Sequence, residues 1–87
     1  MVWYVYLLSC VDDSLYCGVT TDVKRRIAEH NGDRPGGARY TRARRPVQLA
    51  WVETCNNRSE ATRREAVIKN MDRAAKKALV SGFHGLK

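Results

Sequence analysis

The sequence predicts an α+β domain in which one three-stranded antiparallel sheet is surrounded by helices, in the order ββαβαα. Three observations predict it. Trp3 to Ser9 and Leu15 to Val19 are rich in aromatic and β-branched residues, and the turn residues Asp12-Asp13-Ser14 join them as a hairpin. A third run, Val47 to Thr54, follows a long loop. The intervening segments carry helix start and stop signals with apolar residues at i, i+4 spacing. A chain of 87 residues has room for one domain, expected over residues 1–82 with a short tail at 83–87.

Each element has its own reason. The first strand is nearly all apolar, so both faces are covered or one lines a site. Along it Tyr4, Tyr6 and Leu8 share one face; along the second, Tyr16 and Gly18 share one face. Whether these faces coincide depends on register, since a one-residue slip separates them. Thr20-Thr21-Asp22 starts a helix that runs to about His30, with Val23 and Ile27 as its buried stripe. Arg26 and His30 form a second i, i+4 pair on the flank of that stripe, at the seam between helix and sheet. Asn31-Gly32 ends the helix. Residues 32 to 46 read as a loop, long for so small a domain and therefore functional or mobile. In the third strand Val47, Leu49 and Trp51 alternate with Gln48 and Ala50. Asn57 or Ser59 caps a helix to about Asn70 with Ala61, Ile68 and Met71 toward the core and a Glu65–Lys69 pair on another face. Asp72 caps a last helix through Leu79-Val80, ended by Ser81-Gly82.

Composition narrows the function. The hydrophobic fraction of 44% suits a globular chain and is too high for disorder. No apolar run approaches the roughly 18 residues of a membrane span. The opening Met1-Val2-Trp3-Tyr4 lacks the basic start of a signal peptide, so a cytoplasmic protein is expected, with a monomer as default. Three cysteines, Cys10, Cys17 and Cys55, are odd in number and lack C-x-x-C spacing, which argues for buried thiols over a disulfide framework or zinc ribbon. The net charge is +7, and +5 of it lies between Asp22 and Arg45, where eight Lys/Arg stand against three Asp/Glu. Concentrated positive charge points to a polyanion, most often nucleic acid.

Cleaving a phosphodiester requires a deprotonated water, neutralisation of the phosphorane charge and a stabilised leaving oxygen. Glu65 is suited to hold a divalent ion whose remaining ligands are water and phosphate, as is typical of Mg²⁺. Arg26 is suited to bidentate contact with phosphate. Tyr16 is a poor base at its ordinary pKa of about 10 unless a cation such as Arg26 lowers it. The loop residues Arg39, Arg42, Arg44 and Arg45 flank Tyr40, a combination of phosphate clamps with a ring that can stack on an unpaired base.

Tyr4-Val5-Tyr6 followed by Tyr16-Cys17-Gly18 resembles the signature of the GIY-YIG nuclease superfamily, with Arg26 ten residues after Tyr16, His30 one turn on and Glu65 in the helix after the third strand. The resemblance covers roughly residues 3 to 80. The stretches Ala38-Arg39-Tyr40-Thr41-Arg42 with Arg45-Pro46, and Glu60-Ala61 … Glu65 with Lys69, resemble its short stand-alone bacterial branch. It implies a DNA endonuclease dependent on Mg²⁺ or Mn²⁺, one ion per site. Tyr6, Tyr16, Arg26, His30 and Glu65 are then the catalytic residues, Glu65 the metal ligand, and Gly18 the point of close backbone approach. Tyr4 and Cys17 replace the glycine and isoleucine of the two tripeptides. Val19 stands where one branch has a lysine, which gives His30 more weight as an alternative base to Tyr16. Lys69 and the 39–45 loop are expected to bind DNA. Single-stranded or branched DNA is the expected substrate, because so small a chain has little surface with which to read a duplex. The competing reading is a non-catalytic nucleic-acid-binding module using the same basic face.

Overall fold

The computed structural model describes residues 1–83. Its elements are β1 (Trp3–Ser9), β2 (Leu15–Thr20), α1 (Val23–His30), α2 (Arg39–Arg42), β3 (Gln48–Cys55), α3 (Arg58–Lys69) and α4 (Arg73–Ser81). The strands form one antiparallel sheet in the order β2-β1-β3, with β1 in the centre. The expected architecture is thus present, with one added helix inside the long loop. Of the tail expected at 83–87, Phe83 packs against the core; the other residues lie outside the described ones.

All three long helices begin on an acidic or amide side chain. Asp22, Asn57 and Asp72 accept from the backbone N–H of Arg25, Glu60 and Ala75, respectively. Each bond satisfies a donor that the first helical turn leaves unpaired, a contribution of about 1 kcal/mol.

The sheet has two buried faces. On one, Val5, Leu7, Cys17, Trp51 and Cys55 pack against Ala61 and Ile68 of α3, with Leu79 and Val80 of α4 beside them. On the other, Tyr6, Leu8, Cys10 and Val47 pack with Tyr16, Leu49, Val52 and Ile27 of α1. The three cysteines are free and buried. Val47, Leu49 and Trp51 do not share a face as their alternation suggests. Leu7 faces Trp51 and Leu8 faces Leu49, so Ala50 is an extra residue in β3. This bulge turns Trp51 to the α3 side and leaves Val47 and Leu49 on the α1 side.

Candidate active site

The pairing of β1 with β2 resolves the register. Tyr6 lies opposite Gly18 and Leu8 opposite Tyr16, so Tyr6, Gly18 and Tyr16 share the face beneath α1. Gly18 is what lets the strands carry a tyrosine there. A Cβ at this position would collide with the Tyr6 hydroxyl and stand 2.7 Å from its Cζ.

The seam position expected for His30 is in fact complete burial, at 0% exposure. The Tyr6 hydroxyl is 2.9 Å from His30 Nε2, and Thr41 Oγ1 is 2.9 Å from Nδ1. The ring of Tyr16 meets that of His30 edge-on, with centroids 5.1 Å apart. Segment 36–38 seals the histidine from above by crossing the end of α1. Only glycine fits at position 37, because a Cβ would strike the Glu29 carbonyl oxygen. Burial is the main reason that the His30 pKa falls to about 4, with the Arg26 charge adding to it. The ring is therefore neutral at neutral pH. Burial pushes Tyr6 up to about 12, against the pull of the Arg26 guanidinium beside it.

The Arg26 guanidinium bears on Tyr6. Its Nη1 donates to Glu29 Oε1 and to the Gly36 carbonyl, each at 2.7 Å, and its side chain is 25% exposed. A fixed guanidinium with one open side is a ready partner for a phosphate oxygen.

Glu65 lies elsewhere. Its carboxylate is 3.3 Å from Lys69 Nζ and 20% exposed, and its charge acts on the Cys17 thiol, on the α3 face of β2. Tyr16 and Glu65 thus flank edge strand β2 from opposite sides. Tyr6, Tyr16, Arg26 and His30 converge on the α1 face, while Glu65 belongs to α3, which packs on the other face of the sheet. A cleft of about 340 Å³ lies at the end of β2, lined by Arg25, Arg26 and Glu29 of α1, by Val19, Thr20 and Thr21, and by Trp3 and Arg58; of these five residues, it is bordered by Arg26.

Among the described residues no three His, Cys, Asp or Glu side chains converge as a metal cage. A lone, half-buried carboxylate fits a hydrated Mg²⁺-type ion, which keeps most of its shell as water and substrate oxygens.

The basic loop contains α2, which four residues without periodicity do not reveal in sequence. Tyr40 stacks on Tyr16 at 5.7 Å, and the Arg44 guanidinium lies 4.0 Å from the Tyr40 ring centroid. Arg44 also donates to Asp12 in the hairpin turn at 2.9 Å and to the Tyr40 carbonyl at 2.8 Å. Arg45 Nε donates to the His30 carbonyl at 2.7 Å, closing the end of α1. Arg39 and Arg42 are exposed, and Lys69 is half spent on Glu65. Two contributors went unnoticed in sequence. Asn31 joins α1 to β3 by exchanging hydrogen bonds with the Val47 backbone at 2.7 and 3.1 Å. Thr41 is the partner of His30 on α2.

A tyrosine pair on a hairpin, backed by a helix bearing arginine and histidine, defines a class, and comparison with known proteins gives the same one. The family described as the GIY-YIG catalytic domain matches residues 2–78, and the chain belongs to that family, within a nuclease superfamily. More particularly, it is similar to short proteins named UPF0213. It is 53% identical to one from Desulfotalea psychrophila over 90% of this chain and 70% of that protein, and 51% identical to one from Natronomonas pharaonis over 94% of both. The solution NMR structure of the UPF0213 protein from Bacillus halodurans is similar with a TM-score of 0.59 and 44% identity, covering 93% of this chain and 84% of that one. No helix among the described residues is long and apolar enough to cross a membrane.

Proposed function

We propose that this chain is a divalent-metal-dependent DNA endonuclease that prefers single-stranded or branched DNA. The observation that carries the reading is the convergence of Tyr6, Tyr16, Arg26 and His30 on one sheet face, where Gly18 makes room for the Tyr6 ring.

The roles follow from accessibility and charge. His30 is closed to solvent with both ring nitrogens engaged, which leaves Tyr16, half-exposed on the same face, as the group to take a proton from water. Tyr6, equally closed to solvent, acts from within the core by holding the Arg26 guanidinium beside its phenolic oxygen. Arg26 neutralises charge that develops on the phosphate. Glu65 holds the metal. A bound divalent ion supplies Lewis-acid stabilisation of the phosphate and the leaving oxygen. A strand reaching both Tyr16 and Glu65 lies across the β2 edge, with the cleft beside Arg26 at the end of β2. A flexible strand enters it at lower cost than a rigid duplex. Arg39 and Arg42 on α2, with Tyr40, Arg44, Arg45 and Lys69 around them, supply the electrostatic approach.

The test uses end-labelled single-stranded, duplex and branched DNA of matched sequence at one salt concentration, with Mg²⁺, Mn²⁺ or EDTA. Cleavage is expected with a metal and not with EDTA, fastest on unpaired or branched DNA, leaving 5′-phosphate ends. Glu65→Gln should abolish it while binding persists, since loss of a negative charge does not weaken attraction to a polyanion. Binding without cleavage under every metal would replace the enzyme by a binding module. Equal rates on duplex and single strand would remove the substrate preference.

A further inference from the structure

Thr41 is a fully buried polar residue between two exposed neighbours, Tyr40 and Arg42. Its Oγ1 is 2.9 Å from the Ala38 carbonyl oxygen and 2.9 Å from His30 Nδ1. A carbonyl only accepts, so the single hydroxyl proton of Thr41 goes to Ala38. His30 therefore meets a lone pair at Thr41, and Nδ1 carries the ring proton. A neutral imidazole has one N–H, so Nε2 is bare and accepts the Tyr6 hydroxyl proton across 2.9 Å. The Ala38 backbone N–H is the one competing donor to Nδ1; at 3.5 Å it is the weaker interaction.

We propose that Thr41 is a positioning residue that holds His30 in the Nδ1–H tautomer and thereby aims the Tyr6 proton at Nε2. The lone pairs of Tyr6 are then left to the Arg26 guanidinium beside it, free of His30. In the opposite tautomer Nε2–H would occupy one of those lone pairs, and the Tyr6 proton would have to turn away from His30, toward the side where the Arg26 guanidinium bears on it. The proposal rests on the nuclease reading for its consequence, while its geometry stands independently. Segment 38–41 thereby fixes a proton two residues removed from it: Thr41 to His30, His30 to Tyr6.

The experiment reads the tautomer directly. Two-bond ¹H–¹⁵N correlation spectra of the histidine side chains at neutral pH, with His84→Gln used to identify the His30 signals, should show Nδ1 protonated and Nε2 bare in the wild type. Thr41→Val keeps the shape and removes the acceptor. The Ala38 N–H then becomes the remaining partner of Nδ1, and the spectrum should move toward the Nε2–H form. Thr41→Ser restores an acceptor and should keep the wild-type tautomer. In cleavage assays Thr41→Val should lower kcat on the order of 10–100-fold with little change in KM, the scale found for outer partners that orient a metal-binding histidine, and Thr41→Ser should recover most of it. A wild-type Nε2–H tautomer overturns the proposal, as does an unchanged Nδ1–H tautomer in Thr41→Val. If Thr41→Val does not fold, the wild-type and Thr41→Ser spectra still decide. A wild type that cleaves no DNA removes the nuclease reading instead and leaves the tautomer result intact.

Discussion

Replacing Gly18 by alanine should weaken both the fold and the site, by an amount set by one contact. The added Cβ would collide with the Tyr6 hydroxyl and lie 2.7 Å from Cζ and 3.2 Å from Cε2. Tyr6 has nowhere to go: it is 1% exposed and bonded to His30 at 2.9 Å. Overpacking of this kind costs about 1–3 kcal/mol, and a loosened Tyr6–His30 bond about 1 kcal/mol more. The smaller entropy lost by alanine returns about 0.5–1 kcal/mol. The net is about 2 kcal/mol, or a fall in Tm of about 8–16 °C for a domain of this size. Thermal melts followed by circular dichroism measure it, alongside DNA cleavage, which should drop sharply. Tyr6→Phe in the same chain removes the nearest clashing atom, so the double variant should be more stable than the sum of the singles by about 1 kcal/mol or more. A Gly18→Ala protein with wild-type Tm and activity would show that the tyrosine does not occupy the space above position 18.

Other outcomes follow from the same geometry. The folded pKa of His30, about 4, lies below its ordinary 6.5, so the unfolded chain binds the extra proton between these values. Stability is then full above pH 6.5 and is lost as pH falls toward 4, by on the order of 3 kcal/mol; urea unfolding across this window should show a slope that His30→Gln flattens. Arg26→Ala should lower turnover by on the order of 10²–10³ in single-turnover cleavage, with DNA affinity little changed. The exposed Arg39 and Arg42, changed together to Ala, should reduce the salt slope of DNA binding by about two with no change in Tm. Arg45→Ala should instead cost about 1.5–3 kcal/mol of stability in the same melts, because its guanidinium closes the end of α1.

Much of this was legible because local chemistry marks it. Asp22, Asn57 and Asp72 announce helix starts by the side chains that cap them, and the two tripeptides announce the hairpin. What stayed hidden depends on tertiary packing. The bulge at Ala50 leaves no sign in the alternation it reverses. The α2 turn is too short to show a period. Glu65, expected on another face of α3 from Ala61 and Ile68, bears on Cys17 of the cluster that those two residues pack into; that depends on how α3 docks, not on its own sequence. His30 reads as a seam residue on the helix flank because nothing local shows that residues 38–41 fold back over it.

The position of β1 bears on how the molecule opens. Tyr6 sits on the central strand, hydrogen-bonded to neighbours on both sides, so its backbone amide is released only when the sheet itself comes apart. The α2 turn on the other side of the same hydrogen-bond chain is four residues long. Its anchors are Thr41, the exposed Arg44–Asp12 pair and the Tyr40 stack. Native-state hydrogen exchange should therefore divide this one site into two classes: a slow half on β1 that reports global unfolding, and a fast half on α2 that opens far more often without it. Solvent then enters through the α2 side, while the tyrosine side keeps its shape.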